Sequence, residues 1–301
     1  MRCFSDIFLF LSRKMTAEII DGKKIAYDIH KSLAREIKSL RQIYGIPPHM
    51  ATVKIGGDPS SDLYLRRRDD ACRQVGIKTS YLEFPKNISE DSVLDSIYKL
   101  NLDESIHGIL IQFPIPDHIS ESRIMDAIAP WKDVEGFNPY NMGRTLAGDE
   151  DLVPCTPLSV ITILEHEHID VRGMDVVVVN HSNVVGKPLA ALLLNRDASV
   201  SICHVFTHDL KQYSCKADVL ITATGVPRLI GADHVKKNAV VIDVGIVKTE
   251  KGICGDVDFD SVKKKASIIT PVPGGVGPVT IACCLKNMVK TFKKCMEKRG
   301  V

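Results

Sequence analysis

The sequence predicts an α/β protein of two units, each a parallel sheet with helices on its faces. Short apolar segments typical of buried strands alternate with amphipathic helical patterns along the chain. The 301 residues suffice for two domains that each bury a core. A loop-rich, polar segment over residues 130–157 interrupts the alternation and marks the way out of the first unit. We therefore expect one unit over residues 15–157, a second over residues 158–279, and a last helix after it.

The first unit is predicted to open with a helix that Asp21 caps and that runs to about residue 44. Its apolar residues recur at steps of three and four, and Gly45 ends it. Strands are then predicted over residues 51–55, 80–84 and 108–112. Helices are predicted over residues 61–75, 89–100 and 120–128.

The second unit is predicted to begin with a bridging helix that Thr156 caps, with Pro157 as its first helical residue. Its strands are predicted over residues 175–179, 199–204, 219–222, 240–244 and 267–269. Helices fit between them over residues 188–196, 210–216 and 233–237. The last helix, over residues 280–297, carries an apolar stripe formed by Ile281, Leu285, Met288 and Phe292.

The charge balance excludes several classes of partner. With 39 basic and 37 acidic residues, the formal net charge of +2 is too small to attract nucleic acid or an anionic membrane. Aromatic residues make up only 6% of the chain, which argues against a base-stacking surface. No apolar run approaches the roughly 20 residues of a membrane-spanning helix.

Cysteine usage and the first residues bear on location. Nine scattered cysteines without a C-x-x-C pair indicate reduced thiols in the cytoplasm, most of them buried as small apolar side chains. Residues 1–14, basic at both ends of an apolar centre, are interpreted as a leader; a mitochondrial presequence and a true start at Met15 are the alternatives. No metal site is predicted, because His204 and His208 lack a third ligand nearby in sequence.

Two loops are candidates for ligand binding. The predicted strand 175–179 runs into residues 180–188 and then a helix, which would point free backbone N–H groups and a helix N-terminus at a phosphate. Asn180 stands where a dinucleotide motif has its first glycine, as the next-best residue for left-handed backbone; a plain strand–loop–helix is the alternative. Residues 270–278 hold three glycines and three prolines, and form either a simple turn or an exposed backbone for a ligand at the carboxyl edge of the sheet.

Tyr64 and Arg68 are four residues apart on one predicted helix and therefore share a face. A tyrosine ring beside a fixed cation suits a flat, polar, aromatic substrate. A solvated helix face is the commoner arrangement for such a pair, particularly with Arg66, Arg67 and Asp70 around it. Spacing alone leaves both interpretations open.

Eight motifs, in order along the chain, carry a family resemblance. They occupy residues 60–64, 112–116, 132–136, 155–157, 182–188, 243–246, 255–257 and 270–278. From about residue 17 to residue 297, the chain resembles the bifunctional methylenetetrahydrofolate dehydrogenase/methenyltetrahydrofolate cyclohydrolase family. The most specific of these motifs are the Gln-x-Pro-x-Pro stretch and the Pro-Val-Pro-Gly-Gly-Val-Gly-Pro stretch.

The resemblance implies an N-terminal α/β folate domain and a Rossmann-like NAD(P)-binding domain, with a cleft between them and the last helix returning to the first domain. It implies a homodimer that oxidises 5,10-methylenetetrahydrofolate with NADP and hydrolyses the methenyl product to 10-formyltetrahydrofolate, in one-carbon metabolism and purine biosynthesis. Tetrahydrofolate one-carbon compounds are then the partners, and neither nucleic acid nor a membrane is expected.

Position by position, the resemblance also implies site residues. The catalytic residues would be Tyr64, Arg68, Gln112 and Glu135, of which all but Arg68 also hold the substrate. Further substrate contacts would come from Pro273, Gly274, Gly275 and Gly277. The cofactor would contact Asn180, His181, Ser182, Val185, Gly186, Val205 and Ile246.

Four positions depart from the family's pattern. Arg68 stands in place of a lysine, and Glu135 in place of an aspartate. Because arginine stays charged and does not trade protons, we expect hydrolysis to be weaker than hydride transfer. His181 and Val205 are poor partners for a 2′-phosphate, so NAD is the alternative to NADP. A dehydrogenase without cyclohydrolase activity and a non-catalytic folate- or nucleotide-binding paralogue are the alternative functions.

Overall fold

The computed structural model describes residues 16–57, 59–250 and 252–300, except for the side chains of residues 59–63. It confirms the predicted α/β class, because two parallel sheets lie among helices, accompanied by a short antiparallel hairpin. The predicted leader, residues 1–14, lies outside the described residues.

The first unit forms around a three-stranded parallel sheet and is preceded by a short strand, β1 (Glu18–Ile19). Its strands are β2 (His49–Ile55), β3 (Lys78–Phe84) and β4 (Gly108–Gln112), in the spatial order β3-β2-β4. Its helices are α1 (Gly22–Tyr44), α2 (Pro59–Val75), α3 (Glu90–Leu102) and α4 (Glu121–Ala127). Asp21 caps α1 as predicted, since its carboxylate accepts the N–H groups of Lys23 and Lys24.

The second unit forms around a six-stranded sheet. The remaining strands are β5 (Asp175–Val179), β6 (Ser199–Cys203), β7 (Val219–Thr222), β8 (Val240–Asp243), β9 (Val247–Thr249), β10 (Gly252–Cys254) and β11 (Ile268–Ile269). The remaining helices are α5 (Pro139–Leu146), α6 (Cys155–His166), α7 (Gly186–Leu194), α8 (Lys211–Ser214), α9 (Phe259–Val262) and α10 (Val276–Lys298). The sheet is parallel, in the order β1-β11-β8-β7-β5-β6, so the loops that follow its strands share one edge. Strands β9 and β10 form the separate antiparallel hairpin.

Three helix predictions need correction. The segment predicted as loop contains α5, which Asn138 caps. Helix α6 begins at Cys155, so Thr156 lies inside the helix and is not its cap. Helix α10 begins at Val276, four residues before its predicted start, because Pro278 is tolerated in a first turn, where its missing N–H is not needed.

Strand β1 joins the second sheet, although residues from 15 onward are predicted to belong to the first unit. It pairs in parallel with β11. The helix predicted over residues 233–237 is a single 3₁₀ turn, Ala232–His234, and the β9–β10 hairpin has no predicted counterpart. The other domain boundaries stay predictions.

Helix α10 links the two units. It packs against α1 and α6 and reaches α2 and β4 of the first unit. The side-chain amide of Asn287 donates to the carbonyl oxygens of Val134 and Val153, both at 2.9 Å. Met288 and Phe292 are fully buried on the same helix. The prediction that the last helix returns to the first domain is confirmed.

The eight cysteines that the structure describes are free thiols, and six of them are buried, as predicted. Cys3 lies outside the described residues. Within the described part of the chain, no helix combines the length and the apolar character needed to cross a bilayer.

Candidate active site

A cavity of about 270 Å³ lies at the carboxyl ends of β2 and β4. Lys54 and Gln112, near those strand ends, line it together with Pro114 and Pro116 from the loop after β4. Gln112 is half-buried, and its Nε2 donates to the carbonyl oxygen of Phe113 at 2.7 Å. The predicted site residue Gln112 therefore lies at the edge of an open cavity.

Arg68, on α2, is fully buried, so the alternative of a solvated helix face is wrong for this side chain. Its Nη2 donates to Oγ1 of Thr52 at 2.9 Å. Its Nε and Nη1 have no hydrogen-bond partner within the described residues. A buried cation with two unpaired donors is unfavourable in a folded chain unless something supplies acceptors. We therefore regard Arg68 as a residue that faces a ligand.

Glu135 carries a carboxyl group that titrates near neutral pH. Burial raises the pKa of Glu135 to about 7; the charge of Arg68 opposes this rise and that of Asp133 adds to it. The turn that carries Glu135 is held by Asp133, whose carboxylate accepts the N–H groups of Gly136 and Asn138 at 2.9 and 2.8 Å. A group whose pKa lies near the working pH is suited to accepting and releasing protons.

Tyr64 lies one helical turn before Arg68 and belongs to the same cluster. Burial, and then the charge of Glu135, raise the pKa of Tyr64 well above its ordinary value, so that the phenol stays neutral and keeps its donor hydrogen. Two buried thiols, Cys155 and Cys284, are close enough to act on the same phenol. The cluster thus combines a fixed cation, a titrating carboxyl and a neutral hydroxyl.

The glycine- and proline-rich loop joins β11 to α10 and packs against the start of α1. A Cβ atom on Gly22 would meet the carbonyl oxygen of Gly275 at 1.8 Å, so only glycine fits at this contact. Oγ1 of Thr270 accepts the N–H of Asp243 at 2.7 Å and ties the loop to the end of β8. The loop lies at the carboxyl edge of the second sheet, where the sequence predicts it.

The loop after β5 is held by the side chain of Asn180. Its Oδ1 accepts the N–H and O–H of Ser182 at 2.8 and 2.7 Å and the N–H of Gly186 at 3.0 Å, while its Nδ2 donates to the Ala223 carbonyl at 2.7 Å. The predicted left-handed conformation of Asn180 is wrong, because its φ is not positive; these bonds explain the asparagine instead. The N–H of Val185 is also occupied, by Oγ of Ser182 at 3.1 Å. The expectation that these helix-start N–H groups are free for a phosphate is therefore wrong for Val185 and Gly186.

An exposed surface of rings lies beside this loop. The ring centroids of His181 and His204 are 4.7 Å apart, and that of Phe206 lies 6.0 Å from His204. The side chains of Val205 and Phe206 are both 83% exposed. Exposed flat and apolar groups of this kind suit the base of a nucleotide.

Two buried carboxylates shape the same edge of the sheet and are not among the predicted site residues. Asp243 accepts three backbone N–H groups, including that of Asp256 at 3.1 Å. Asp256 in turn accepts the hydroxyl of Thr222 at 2.9 Å. Burial raises the pKa of Asp243 to about 6. These bonds fix the loop that leaves Ile246 exposed.

The two halves of the chain match two domain families. Residues 20–135 match the catalytic domain of tetrahydrofolate dehydrogenase/cyclohydrolase, and residues 154–296 match its NAD(P)-binding domain. The chain belongs to the tetrahydrofolate dehydrogenase/cyclohydrolase family.

Individual members of the family agree with this assignment. A relative from Methanosarcina mazei, named bifunctional protein FolD, is 49% identical over 284 residues, which cover 94% of this chain and 99% of the relative. The solved bifunctional enzyme FolD from Campylobacter jejuni is 44% identical, with a TM-score of 0.90, and the match covers 92% of this chain and 99% of that one. The Trypanosoma brucei enzyme, solved with NADP and an inhibitor, is 34% identical, with a TM-score of 0.89 and coverage of 93% and 99%.

In this tetrahydrofolate dehydrogenase/cyclohydrolase chain, Gln112 lines the cavity described above, and the other predicted site residues lie in two groups. Tyr64, Arg68 and Glu135 interact electrostatically and form the first. The residues predicted to contact the cofactor lie on the loops after β5, β6 and β8 and form the second. The glycine-rich loop, with Pro273, Gly274, Gly275 and Gly277, adjoins the second group, since a Cβ on Gly277 would lie 3.9 Å from Cδ1 of Ile246.

Besides Asp243 and Asp256, three more buried residues that support the site are not predicted from the sequence. Asp133 belongs to a quoted motif, but its role in holding the turn is not predicted. Asn287 interrupts the buried stripe of α10, and a lone polar residue on an apolar face is the signal that could have revealed it. Nothing in the sequence distinguishes Cys284 from its neighbour Cys283.

Proposed function

We propose that this chain oxidises 5,10-methylenetetrahydrofolate to 5,10-methenyltetrahydrofolate with NADP and hydrolyses the product to 10-formyltetrahydrofolate. The observation that carries the proposal is the cluster of the buried Arg68 with the half-buried Tyr64 and Glu135, at the positions where the family places its reacting groups. Two relatives that are 49% and 51% identical are named bifunctional proteins, so a dehydrogenase alone and a non-catalytic paralogue are not favoured.

For hydride transfer, the protein's task is alignment and polarisation rather than proton transfer. Tyr64 stacks on the folate, and Gln112 and Glu135 hold its polar edge. Arg68 supplies a fixed positive charge, and its two unpaired nitrogens donate to the substrate, which removes the cost of burying them unpaired. The glycine-rich loop lines the same substrate through its exposed backbone.

For hydrolysis, a group must take the proton of the attacking water. Arg68 stays charged at any working pH and is unsuited to this role. Glu135, whose pKa lies at about 7, takes the proton instead and returns it to solvent. Hydrolysis can therefore proceed with Arg68 as the fixed charge and Glu135 as the proton acceptor. We expect it to be slower than hydrolysis that uses a lysine.

The second group of residues is suited to a dinucleotide, which supplies the hydride acceptor when bound. A Cβ on Gly186 would lie 2.1 Å from the carbonyl oxygen of Asn180, so glycine keeps the turn before α7 tight. His181, Ser182 and Val205 surround this turn, and the exposed Val205 and Ile246 offer apolar faces to the cofactor. Family membership favours NADP; comparing kcat/KM for NADP and NAD at one salt concentration tests this preference.

A single assay separates the possible functions. Pure protein is mixed with methylenetetrahydrofolate and NADP, and reduced nicotinamide and the methenyl compound are followed together. We expect nicotinamide reduction, with a methenyl compound that decays faster than in buffer alone. Decay at the buffer rate would identify a dehydrogenase without cyclohydrolase activity. Tight ligand binding without turnover would identify a non-catalytic protein. Light scattering on the same sample tests the predicted homodimer, and the cytoplasmic location stays a prediction.

A further inference from the structure

We propose that Glu135, Cys155 and Cys284 form a metal site inside the candidate active site. The site would bind a divalent cation that prefers sulfur ligands, typically Zn²⁺. Each residue offers one ligand atom, and the three atoms lie within 4.8 Å of one another. They come from three separate elements: the turn after Asp133, the first residue of α6, and the buried side of α10.

The separations of the three ligand atoms are close to those in a tetrahedral metal site. In a tetrahedral site with Zn–S bonds of about 2.3 Å and Zn–O bonds of about 2.1 Å, ligand atoms lie about 3.6–3.8 Å apart. The side chains therefore need to close by no more than about an ångström, which rotation about their χ angles supplies. Three protein ligands leave a fourth position open, as in zinc sites that bind water or another small ligand.

In the metal-free chain, a hydrogen bond with Cys284 and burial raise the pKa of the Cys155 thiol, so the cation must displace the thiol proton when it binds. Cys155 is the first residue of α6, where the positive end of the helix dipole stabilises a negative sulfur. Nδ2 of Asn287 lies 3.5 Å from Sγ of Cys155 and shares its two N–H groups among this sulfur and the carbonyl oxygens of Val134 and Val153. Both thiols are buried, so a bound ion would be sheltered from competing water.

Arg68 supplies the positive charge that an occupied metal site would need. A divalent cation with two thiolates and one carboxylate carries one net negative charge, which would be unfavourable in a buried site without a counter-charge. Arg68 is close enough for its charge to act on both Glu135 and Cys284, and two of its nitrogens have no partner within the described residues. Metal binding releases the two thiol protons, and any proton on Glu135, to solvent, so the charges on both sides balance.

Occupation of this site has a consequence for turnover, which rests on the proposed function. The ion would engage Glu135, the group that takes a proton in hydrolysis, and would lie in the cluster that contains Tyr64. We therefore expect Zn²⁺ to inhibit in competition with the folate substrate and a chelator to restore activity. This site would make the enzyme responsive to free zinc.

The direct test does not depend on enzymatic activity. Co²⁺ is titrated into the reduced, metal-free full chain, and the thiolate-to-cobalt charge-transfer absorption is recorded. One equivalent is expected to saturate the band, and Zn²⁺ is expected to displace it. Cobalt at the exposed histidines would give no thiolate band. In Cys284→Ala the affinity should fall by at least about 100-fold, since losing a ligand costs more than losing an outer-shell partner.

The matched control is Cys283→Ala, which removes an equally buried thiol next in sequence that lies outside the cluster. It should leave the band and the affinity unchanged. Absence of the band in the wild type, its retention in Cys284→Ala, or equal losses in both variants would overturn the proposal. Should Cys284→Ala fail to fold, X-ray absorption of the wild type with one equivalent of Zn²⁺ decides: two sulfur neighbours at about 2.3 Å support the site, and none refutes it. If the cobalt band appears while the oxidation assay shows no turnover, only the proposed function fails.

Discussion

The two halves of the candidate site differ in whether their polar groups have hydrogen-bond partners within the protein. Around Arg68, two buried donors lack partners within the described residues, and the pKa of Glu135 is raised to about 7. Around Asn180, the side chain uses both of its polar atoms within the protein, and the exposed surface consists of rings and aliphatic groups. The first region therefore has hydrogen-bond donors that are available to a substrate. In the second region the polar atoms of Asn180 are already paired within the protein, and the loop serves as a rigid support.

The largest effect should come from removing the unmet charge. Arg68→Met should lower the rate of methylenetetrahydrofolate oxidation by about 10³-fold, as expected for the loss of a preorganised electrostatic group. Thermal stability should change little, because two unpaired buried donors disappear while the hydrogen bond to Thr52 and the attraction to Glu135 are lost. Steady-state kinetics and thermal unfolding on the same sample measure both. A variant that stays active would show that the charge is structural only.

The next effect concerns Glu135. Glu135→Gln should slow hydrolysis by about 100-fold and remove an inflection near pH 7, above which the wild-type rate is high because the ionised carboxylate takes the proton. The pH–rate profiles of wild type and variant measure this. An unchanged profile would exclude Glu135 as the proton acceptor.

The same substitution should change stability with a defined sign. Because burial raises the pKa of Glu135 from 4.5 to about 7, the folded state binds the proton more tightly, and stability is lost as pH rises through that interval. At pH 8, Glu135→Gln should therefore be more stable than wild type by about 1–3 kcal/mol, and the gain should shrink toward pH 5. Denaturant unfolding at both pH values measures it, and the exposed Glu121→Gln should show no such gain.

A smaller effect, a gain in hydrolysis, should follow from replacing Arg68 by a residue that can accept and donate protons. Arg68→Lys should raise the rate of hydrolysis relative to oxidation by about tenfold, because a buried lysine lowers its pKa and takes part in proton transfer. The decay of the methenyl compound after a pulse of oxidation measures the ratio. Arg67→Lys, on the exposed side of α2, is the control. No gain in Arg68→Lys would remove arginine as the cause of weak hydrolysis.

The smallest effect should come from the self-contained region. Asn180→Ala removes the acceptor and donor that hold the loop, and should raise the KM for NADP by about fivefold, roughly 1 kcal/mol, with oxidation at saturating NADP little changed. Stability should fall by about 2 kcal/mol, since buried partners lose their bonds. Asn183→Ala is the control and should do neither, because the Asn183 side chain accepts a hydrogen bond from an exposed lysine, Lys187. A large fall in kcat would contradict the role of a support.

The sequence was informative where one local pattern decides the outcome. The spacing of Tyr64 and Arg68 predicted a shared helix face, and the glycine-rich loop was predicted at the correct edge of the sheet. The burial of Arg68 was not predictable, because its sequence neighbours Arg66 and Arg67 are exposed. Contacts with distant segments, such as the hydrogen bond to Thr52 on β2, distinguish it.

Interactions between distant segments account for the other errors. The sequence predicted a left-handed backbone at Asn180. Its actual role is a side-chain hydrogen bond to the residue after another strand, which no local sequence pattern reveals. Strand β1 is two residues long, and its strand partner is β11, which lies about 250 residues further along the chain. The thiols Cys155 and Cys284 meet only because α6 and α10 pack together.

The pairing of β1 with β11 has a consequence for how the protein is made. Glu18 lies beside Ile268, about 250 positions further along the chain, so β1 is synthesised well before its partner and stays unpaired until β11 has been made. Helix α1 starts just after β1, and the glycine-rich loop starts just after β11. The late docking event that closes the sheet therefore also seats Gly22 against Gly275. The glycine-rich loop therefore cannot pack against the start of α1 until β11 and the loop itself have been synthesised.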